Sequence, residues 1–437
     1  KKALCRKDLD MIPNGNFLSK GYEECRNMKF FRIFGLAEFW EKQKEVRVNT
    51  LVSDLLASCV RHGVPFAFVI RGDERGIGVY VGTLGILLDS LQTAYEALYP
   101  GLDIAPAEQS PLRDCACQCG GLFTGTPTDK TQGETYGEQV ENLCRGMLGT
   151  RFTYVILASG ISSIAVSFGH DRLLEEMEST FSMINQNITG GAQGNLSIQR
   201  QDFASKDYFD HLQLLEQSIK TGVSRGMWRV NGYYACDTPG DSRRMANIIK
   251  ASFSGKESGP EPFRVLEYNH IRDVITNTYM MADLIDIQEQ HPLGLWTRPG
   301  IAQPITLFIY KFQTILNSDQ LAVMCQLPIR EFPGYYIDQY VEFDVSQRNR
   351  EQMEEPVELG EICQAGRAGR KDVSNRYSME KNDFTRHALV IGITGGGKTN
   401  TSKSLLNSLW NPQDGGGKIP FLVIESAKRE YWELRNL

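Results

Sequence analysis

The chain has little cysteine and no spacing that resembles a disulfide framework. Ten Cys fall in 437 residues, and only Cys115, Cys117 and Cys119 lie close together. This excludes a small disulfide scaffold and points to a reducing compartment, so a cytoplasmic location is expected. Nor is there a large excess of charge of one sign. Lys and Arg number 47 against 53 Asp and Glu, a net charge of −6. That excludes a global basic footprint for nucleic acid and leaves only a local one. Long apolar runs are missing too. The most apolar uncharged stretch, Phe152 to Phe168, has 17 residues and a polar interior at Ala158-Ser159-Gly160-Ile161-Ser162-Ser163. It sits at the lower limit for a membrane span and is broken in its middle. It reads as two buried strands, Tyr154–Leu157 and Ile164–Phe168, and no integral membrane segment is expected.

What is present is ordinary globular material. Apolar residues make up 41% and charged residues 23%, which excludes disorder and collagen-like structure. The length allows about three domains. The chain starts at Lys1 rather than Met, and Glu433–Leu437 reads as a helix cut short. A segment of a longer protein is therefore expected.

Periodicity predicts strands at Phe30–Phe34, Phe66–Ile70 and Gly78–Gly82. Apolar residues at helical spacing follow Leu51 and Leu84, and Pro100-Gly101 stops the second run. Farther on, helices are expected over Tyr208–Val223 and Ser242–Phe253, with a strand at Met227–Ala235 between them. More strand is expected at Pro304–Phe312 and Tyr335–Val345, and loops at 101–150, 185–206 and 254–262. The fold class is α+β with antiparallel sheet, its outline repeating as two related halves would. The expected division is an α+β subdomain over 1–150, a second over 151–350, a polar linker over 351–385, and the start of an α/β P-loop domain over 386–437.

The chemistry lies in that last segment. Ala388-Leu389-Val390-Ile391 reads as a buried strand leading into Gly392-Ile393-Thr394-Gly395-Gly396-Gly397-Lys398-Thr399, which fits G-x-x-x-x-G-K-[ST] at every fixed position. An amphipathic helix pattern follows, with Leu405, Leu406, Leu409 and Trp410, and then a second strand pattern, Pro420–Ile424. Strand, loop, helix and strand make a βαβ unit. Glycines let the backbone wrap closely and point N–H groups at phosphate oxygens. The helix start adds unpaired N–H groups and the positive end of its dipole. Lys398 can reach the β- and γ-phosphates, and the Thr399 hydroxyl can ligate Mg²⁺. The candidate ATP-binding residues are Gly392, Thr394, Gly395, Gly396, Gly397, Lys398, Thr399 and Asn400. ATP and Mg²⁺ are the expected cofactors.

The stretch from Arg386 to Thr399 resembles the Walker A segment of the HerA/FtsK superfamily of P-loop ATPases. Pro420 to Tyr431 is similar to the second strand of HerA-like ATPases, which often ends in an acidic residue and a Glu-Tyr pair, here Glu430-Tyr431. Gly396 replaces the usual Ser of that loop. Leu321–Pro328 with Pro333-Gly334 is similar to the segment preceding the motor in the ATPases of conjugation and type IV secretion. The resemblance implies a RecA-like core, a homo-hexameric ring and ATP-driven movement of DNA or protein. It further implies a Walker B acid, a sensor and an arginine finger, none of which can be placed in a sequence that stops 38 residues after Thr399. The motor would thus be truncated after its first βαβ unit. Glu425 becomes a candidate catalytic residue with Lys398 and Thr399, and Glu430 a further acid near the nucleotide. Implied partners are DNA, a nuclease in antiviral defence, or secretion and conjugation proteins, with membrane association only through such partners.

Weaker signals have ordinary readings beside them. Cys115, Cys117 and Cys119, with Cys144, could hold a metal, but the spacing is tight and no His lies between 115 and 144. Arg348, Arg350, Arg367, Arg370 and Lys371 form a local basic stretch that could touch nucleic-acid phosphates or simply be solvated. Arg386 and His387 could contact a nucleotide or a neighbouring subunit. Two functions compete: an ATP-hydrolysing ring motor (a DNA translocase or helicase), and a scaffold whose assembly is switched by nucleotide.

Overall fold

The computed structural model describes residues 22–24, 27–41, 48–128, 138–189, 197–201, 203–255, 261–281, 312–339, 352–354, 356–361, 376–410, 419–424 and 429–436. The chain divides into two compact units, residues 1–339 and 340–437. The first unit opens with β1 (Tyr22–Glu24), β2 (Met28–Ala37), α1 (Val48–Cys59), β3 (Pro65–Asp73), β4 (Gly76–Leu84) and α2 (Leu88–Leu98). It continues through β5 (Asp103–Pro106), β6 (Cys119–Thr124), α3 (Glu138–Gly146), β7 (Phe152–Gly160), α4 (Ser163–Ile184), β8 (Asn185–Thr189) and β9 (Ser197–Gln201). Then come α5 (Phe203–Arg225), β10 (Met227–Cys236), α6 (Pro239–Phe253), β11 (Arg264–Glu267) and α7 (Ile271–Thr276). It ends with β12 (Tyr279–Met281), β13 (Thr314–Asn317), α8 (Ser318–Met324) and β14 (Tyr336–Asp338).

The fold is α+β. Its main sheet runs β11-β6-β10-β7-β3-β4-β2-β14, with β13 also on β10 and β5 also on β2. Every pairing in it is antiparallel except β14 with β2. Strands from before and after residue 150 therefore share one sheet, joined where β3 pairs β7 from Pro65↔Ser159 to Gly72↔Phe152.

Both faces of the central strands are covered, so their sequences read as near-continuous apolar runs rather than alternations. Side chains still alternate between faces. One face carries Phe68, Tyr154, Trp228 and Tyr234 against helices. There Trp228 Nε1 donates to Ser318 Oγ at 3.0 Å, and Tyr154 stacks on Phe253 of α6 at 6.4 Å. The other face carries Val69, Val155, Leu157, Tyr233 and Ala235 in one cluster with Leu122 and with Ile271, Val274 and Ile275 of α7. Burial of each such side chain contributes roughly 1.5–3 kcal/mol, offset by the entropy of ordering it.

Buried polar groups tie the cover to the sheet. Tyr154 Oη donates to the Met324 carbonyl at 3.1 Å, and Thr153 Oγ1 to the Ala116 carbonyl at 2.9 Å. Arg225, at the end of α5, pairs with Asp54 of α1 and Asp319 of α8, each at 2.6 Å. The β3–β4 turn is closed by Asp73 Oδ1, which accepts from the backbone N–H groups of Arg75 and Gly76.

Several expectations are corrected. Ile164–Phe168 is not a strand but the start of α4, because Ser162 Oγ accepts the N–H of Ala165 and caps a helix there. Ile164 and Phe168 are 81% and 61% exposed, as a buried strand could not be. The loop-dominated interval 101–150 also holds β5, β6 and α3. Gly120 and Gly121 hide the strand signal of β6. They occur because a Cβ at either would strike the backbone of β10 or β11, at the Tyr234 and Leu266 carbonyls. The expected loop over 185–206 holds the β8–β9 hairpin, which links α4 to the antiparallel return of α5. Residues 304–311 and 340–345 lie outside the described residues, and of Tyr335–Val345 only Tyr336–Asp338 is seen as strand. Among the described residues no helix is long and apolar enough to cross a membrane.

Candidate nucleotide-binding site

The second unit contains β15 (Pro356–Glu361), β16 (Arg376–Glu380) and the helix α9 (Lys398–Trp410). β15 and β16 pair antiparallel with an irregularity between Glu358 and Gly360, so a hairpin occupies the stretch expected to be linker. A 3₁₀ turn, Lys381–Thr385, follows.

The predicted helix is present, but its two flanking strands are not. Residues 388–391 and 420–424 adopt no paired strand. Leu389 and Ile391 are 83% and 81% exposed, and Leu422 and Ile424 are 86% and 88% exposed. The physical reason is that a buried parallel strand exists only with neighbours to take its N–H and C=O groups and layers to cover its faces. No strand lies beside either run among the described residues. The βαβ reading is corrected to a loop and helix between two unpaired apolar runs. On α9, Leu405, Leu406, Leu409 and Trp410 are half-buried, and Trp410 meets Phe421 edge-on at 6.1 Å.

The loop itself has the conformation its glycines permit. Gly395 and Gly397 have φ of +84° and +79°, the left-handed region that favours glycine. The Gly396 N–H donates to the Ile393 carbonyl at 3.1 Å, closing a tight turn just before the helix. Residues 391–397 are exposed throughout. Lys398 folds back over this turn, its Nζ donating to the carbonyls of Gly392 at 2.8 Å and Ile393 at 2.6 Å. Thr394 and Asn400 are exposed on either side.

A carboxylate stands at the Thr399 hydroxyl. Thr399 Oγ1 donates to Glu430 Oε2 at 2.7 Å, and one helical turn on, Lys403 Nζ pairs with Glu433 Oε2 at 2.8 Å. The two contacts have one cause. Residues 430–436 form a 3₁₀ helix, in which positions three apart eclipse, so Glu430 and Glu433 align in one column. Thr399 and Lys403 are four apart on α9 and share one face. Lys403 holds the Glu433 carboxyl below its ordinary value through their hydrogen bond and charge. Glu430 is the acid that the sequence motif singles out; Lys403 and Glu433 are marked only by their i, i+4 and i, i+3 spacings from Thr399 and Glu430.

The site thus brings together Gly392, Gly396, Lys398, Thr399 and Glu430. Glu425 lies outside the described residues, as do Arg348, Arg350, Arg367, Arg370 and Lys371. Arg386 and His387 are exposed ahead of the loop. The arrangement fits phosphate and magnesium chemistry. Exposed loop backbone and a lysine ammonium suit phosphate oxygens, and a hydroxyl beside a carboxylate offers the hard oxygen donors that Mg²⁺ takes.

The cysteine cluster does not form a comparable centre. Cys115 and Cys117 are buried in the cluster on one face of the main sheet. Cys119, in β6, lies on the opposite face with Phe123, which stacks on Tyr154 at 5.4 Å. Cys144 is on α3, buried beside Glu141, whose charge adds to desolvation in pushing the thiol up. Among the described residues no three His, Cys, Asp or Glu are arranged to hold a metal ion.

Residues 358–431, about a sixth of the chain, match a family model described as the central domain of the helicase HerA. The match covers β15 from Glu358 onward, β16, the glycine loop, α9 and Glu430, and it points to the P-loop ATPases as a class. No curated protein matches the chain.

Proposed function

We propose that the second unit is the start of a RecA-like domain that binds and hydrolyses ATP with Mg²⁺. The protein would act as a subunit of a HerA-type ring motor. The carrying observation is that Lys398, Thr399 and Glu430 converge at one end of α9, within the segment similar to the HerA central domain. ATP would supply the transferable phosphoryl group, and Mg²⁺ the neutralisation of its charge.

The chain's own groups have defined tasks. Lys398 exchanges its two carbonyl acceptors for phosphate oxygens, a stronger charge-assisted pairing. The N–H groups of 394–400 hold the phosphate oxygens. Thr399 presents its oxygen toward the metal position, oriented by the hydrogen bond it donates to Glu430. Glu430 is a positioning residue, and Glu425 is the proposed further catalytic acid. The first unit, residues 1–339, serves as the assembly domain of a homo-hexamer. The moved substrate is proposed to be DNA, in transfer, processing or antiviral defence, with a nuclease or secretion proteins as partners and a cytoplasmic setting.

The test is the Lys398→Ala variant. It should lose ATP hydrolysis by more than about 100-fold in kcat, roughly 3 kcal/mol of transition-state stabilisation, while the first unit keeps its fold by circular dichroism. Retained hydrolysis would sink the ATPase reading. Stimulation of the ATPase by DNA supports the translocase reading, and its absence with every DNA tried would count against it.

A further inference from the structure

Two thiols of the first unit face each other across neighbouring strands. In the β10–β6 ladder, Cys236 is the direct partner of Cys119, at the last paired position. Directly opposed residues of an antiparallel pair have Cα atoms about 4.5 or 5.5 Å apart. Both values lie inside the roughly 4.4–6.8 Å range that a disulfide spans. The two Cβ atoms also point to the same face of the sheet. Cys236 Sγ lies at 3.7 Å from Met245 Sδ of α6, on that same face. Both cysteines are free thiols.

Their accessibility differs in a useful way. Cys236 is fully buried, whereas Cys119 is half-exposed. The reason is topological. β11 covers β6 only as far as Gly121, so Cys119 stands beyond the end of its outer neighbour. Cys115 and Cys117 are nearby in sequence but buried on the other face of the sheet, which removes them as competitors.

We infer that Cys119 and Cys236 form a cross-strand oxidation site that hydrogen peroxide converts to a disulfide. The Cys119 thiolate attacks the peroxide, the O–O bond breaks, and Cys119 becomes a sulfenic acid as hydroxide leaves. Cys236 sulfur then attacks the sulfenic sulfur, the S–S bond forms, and its proton leaves with the hydroxyl as water. In sum, two thiols lose two electrons and two protons, and one peroxide becomes two waters. Burial and the charges of Asp241 and Asp237 push the Cys236 thiol up to about 12, which assigns the first attack to Cys119. The bond would fasten the start of β6 to the end of β10, immediately before the turn into α6.

The experiment treats the purified chain with hydrogen peroxide, blocks remaining thiols with N-ethylmaleimide, and maps unreduced tryptic peptides by mass spectrometry, with fragmentation to place each bridge because Cys115, Cys117 and Cys119 share the peptide 114–130. The expected result is a linked peptide pair containing Cys119 and Cys236, lost on treatment with dithiothreitol. In a Cys236→Ser variant, Cys119 should instead stop at a sulfenic acid that dimedone traps. Cys119 ending as a sulfinic acid, or bonded to Cys115 or Cys117 while Cys236 stays free, would overturn the inference. The wild-type map decides the matter even if the variant fails to fold.

Discussion

Asn231 offers a sharp test of how the first unit is held together. It sits in the middle of β10 and is fully buried. Its Nδ2 donates to the carbonyls of Met281 and Phe312, each at 3.0 Å. One amide therefore holds two chain points far apart in sequence against the central strand. Asn231→Leu keeps the side-chain volume and removes both hydrogen bonds. Each buried carbonyl that loses this donor costs about 1–3 kcal/mol, so the pair costs about 2–6 kcal/mol. Asn231 Oδ1 has no partner among the described residues, and deleting it returns about 1–3 kcal/mol. The net loss should be about 2 kcal/mol, a sizeable part of the ~5–15 kcal/mol that holds a domain folded. Urea unfolding followed by tryptophan fluorescence, with Trp228 three residues away on the same strand, reads the change. The midpoint should fall while the slope stays constant, because the folded surface is unaltered. A variant within about 0.5 kcal/mol of wild type would refute the argument, because the two carbonyls would then not depend on this amide.

Four further outcomes follow from the same structure. Burial pushes the phenols of Tyr95, Tyr154 and Tyr335 well above the ordinary 10.0. Their folded values exceed the unfolded ones, so this stability is complete below about pH 10 and is lost as pH rises beyond it. The share of the phenolate absorbance at 295 nm that these buried tyrosines contribute should therefore appear only together with loss of circular dichroism; the full absorbance of all the tyrosines within an intact fold would contradict it. Thr238 caps α6 through the Asp241 N–H at 3.2 Å, so Thr238→Ala should cost about 1 kcal/mol in urea unfolding. The Asp241 carboxyl is held below its usual value by Thr238 and Arg244. Its contribution is present above the unfolded carboxylate value and disappears as pH falls through the folded one, so an Asp241→Asn variant should show a shallower loss of stability in acid. At Gly76, with φ of +151°, a Cβ would strike the Pro333 carbonyl, so Gly76→Val should lower the thermal midpoint by several degrees; an unchanged midpoint would mean that the 333–335 loop simply moves away.

Much of the first unit was legible because its signals are local. The apolar runs of β2, β3, β4 and β10 and the periodicity of α2, α5 and α6 come from residues within a few positions of each other. Where reading failed, the deciding partner lay elsewhere. β6 looked like loop because Gly120 and Gly121 answer to strands more than a hundred residues away. Residues 164–168 carry the β-branched and aromatic side chains of a strand, yet the Ser162 cap starts a helix there. In the second unit the loop glycines and Lys398 could be read from spacing, since only a few backbone conformations suit that pattern. The predicted strands beside them could not form from local preference alone.

The sequence by itself determined the α+β class, the position of the glycine loop, the helix that follows it, and which residue types could serve a phosphate. These depend on period, on backbone permissiveness and on the chemistry of single side chains. Only the tertiary structure decided that β3 and β7 join both halves in one sheet, that Glu430 meets Thr399, and that Cys119 parts from Cys115 and Cys117 to oppose Cys236. Each of these is a matter of register and face. A shift of one residue along a strand sends a side chain to the other side of the sheet, and what sets that shift is the partner strand, not the neighbours in sequence.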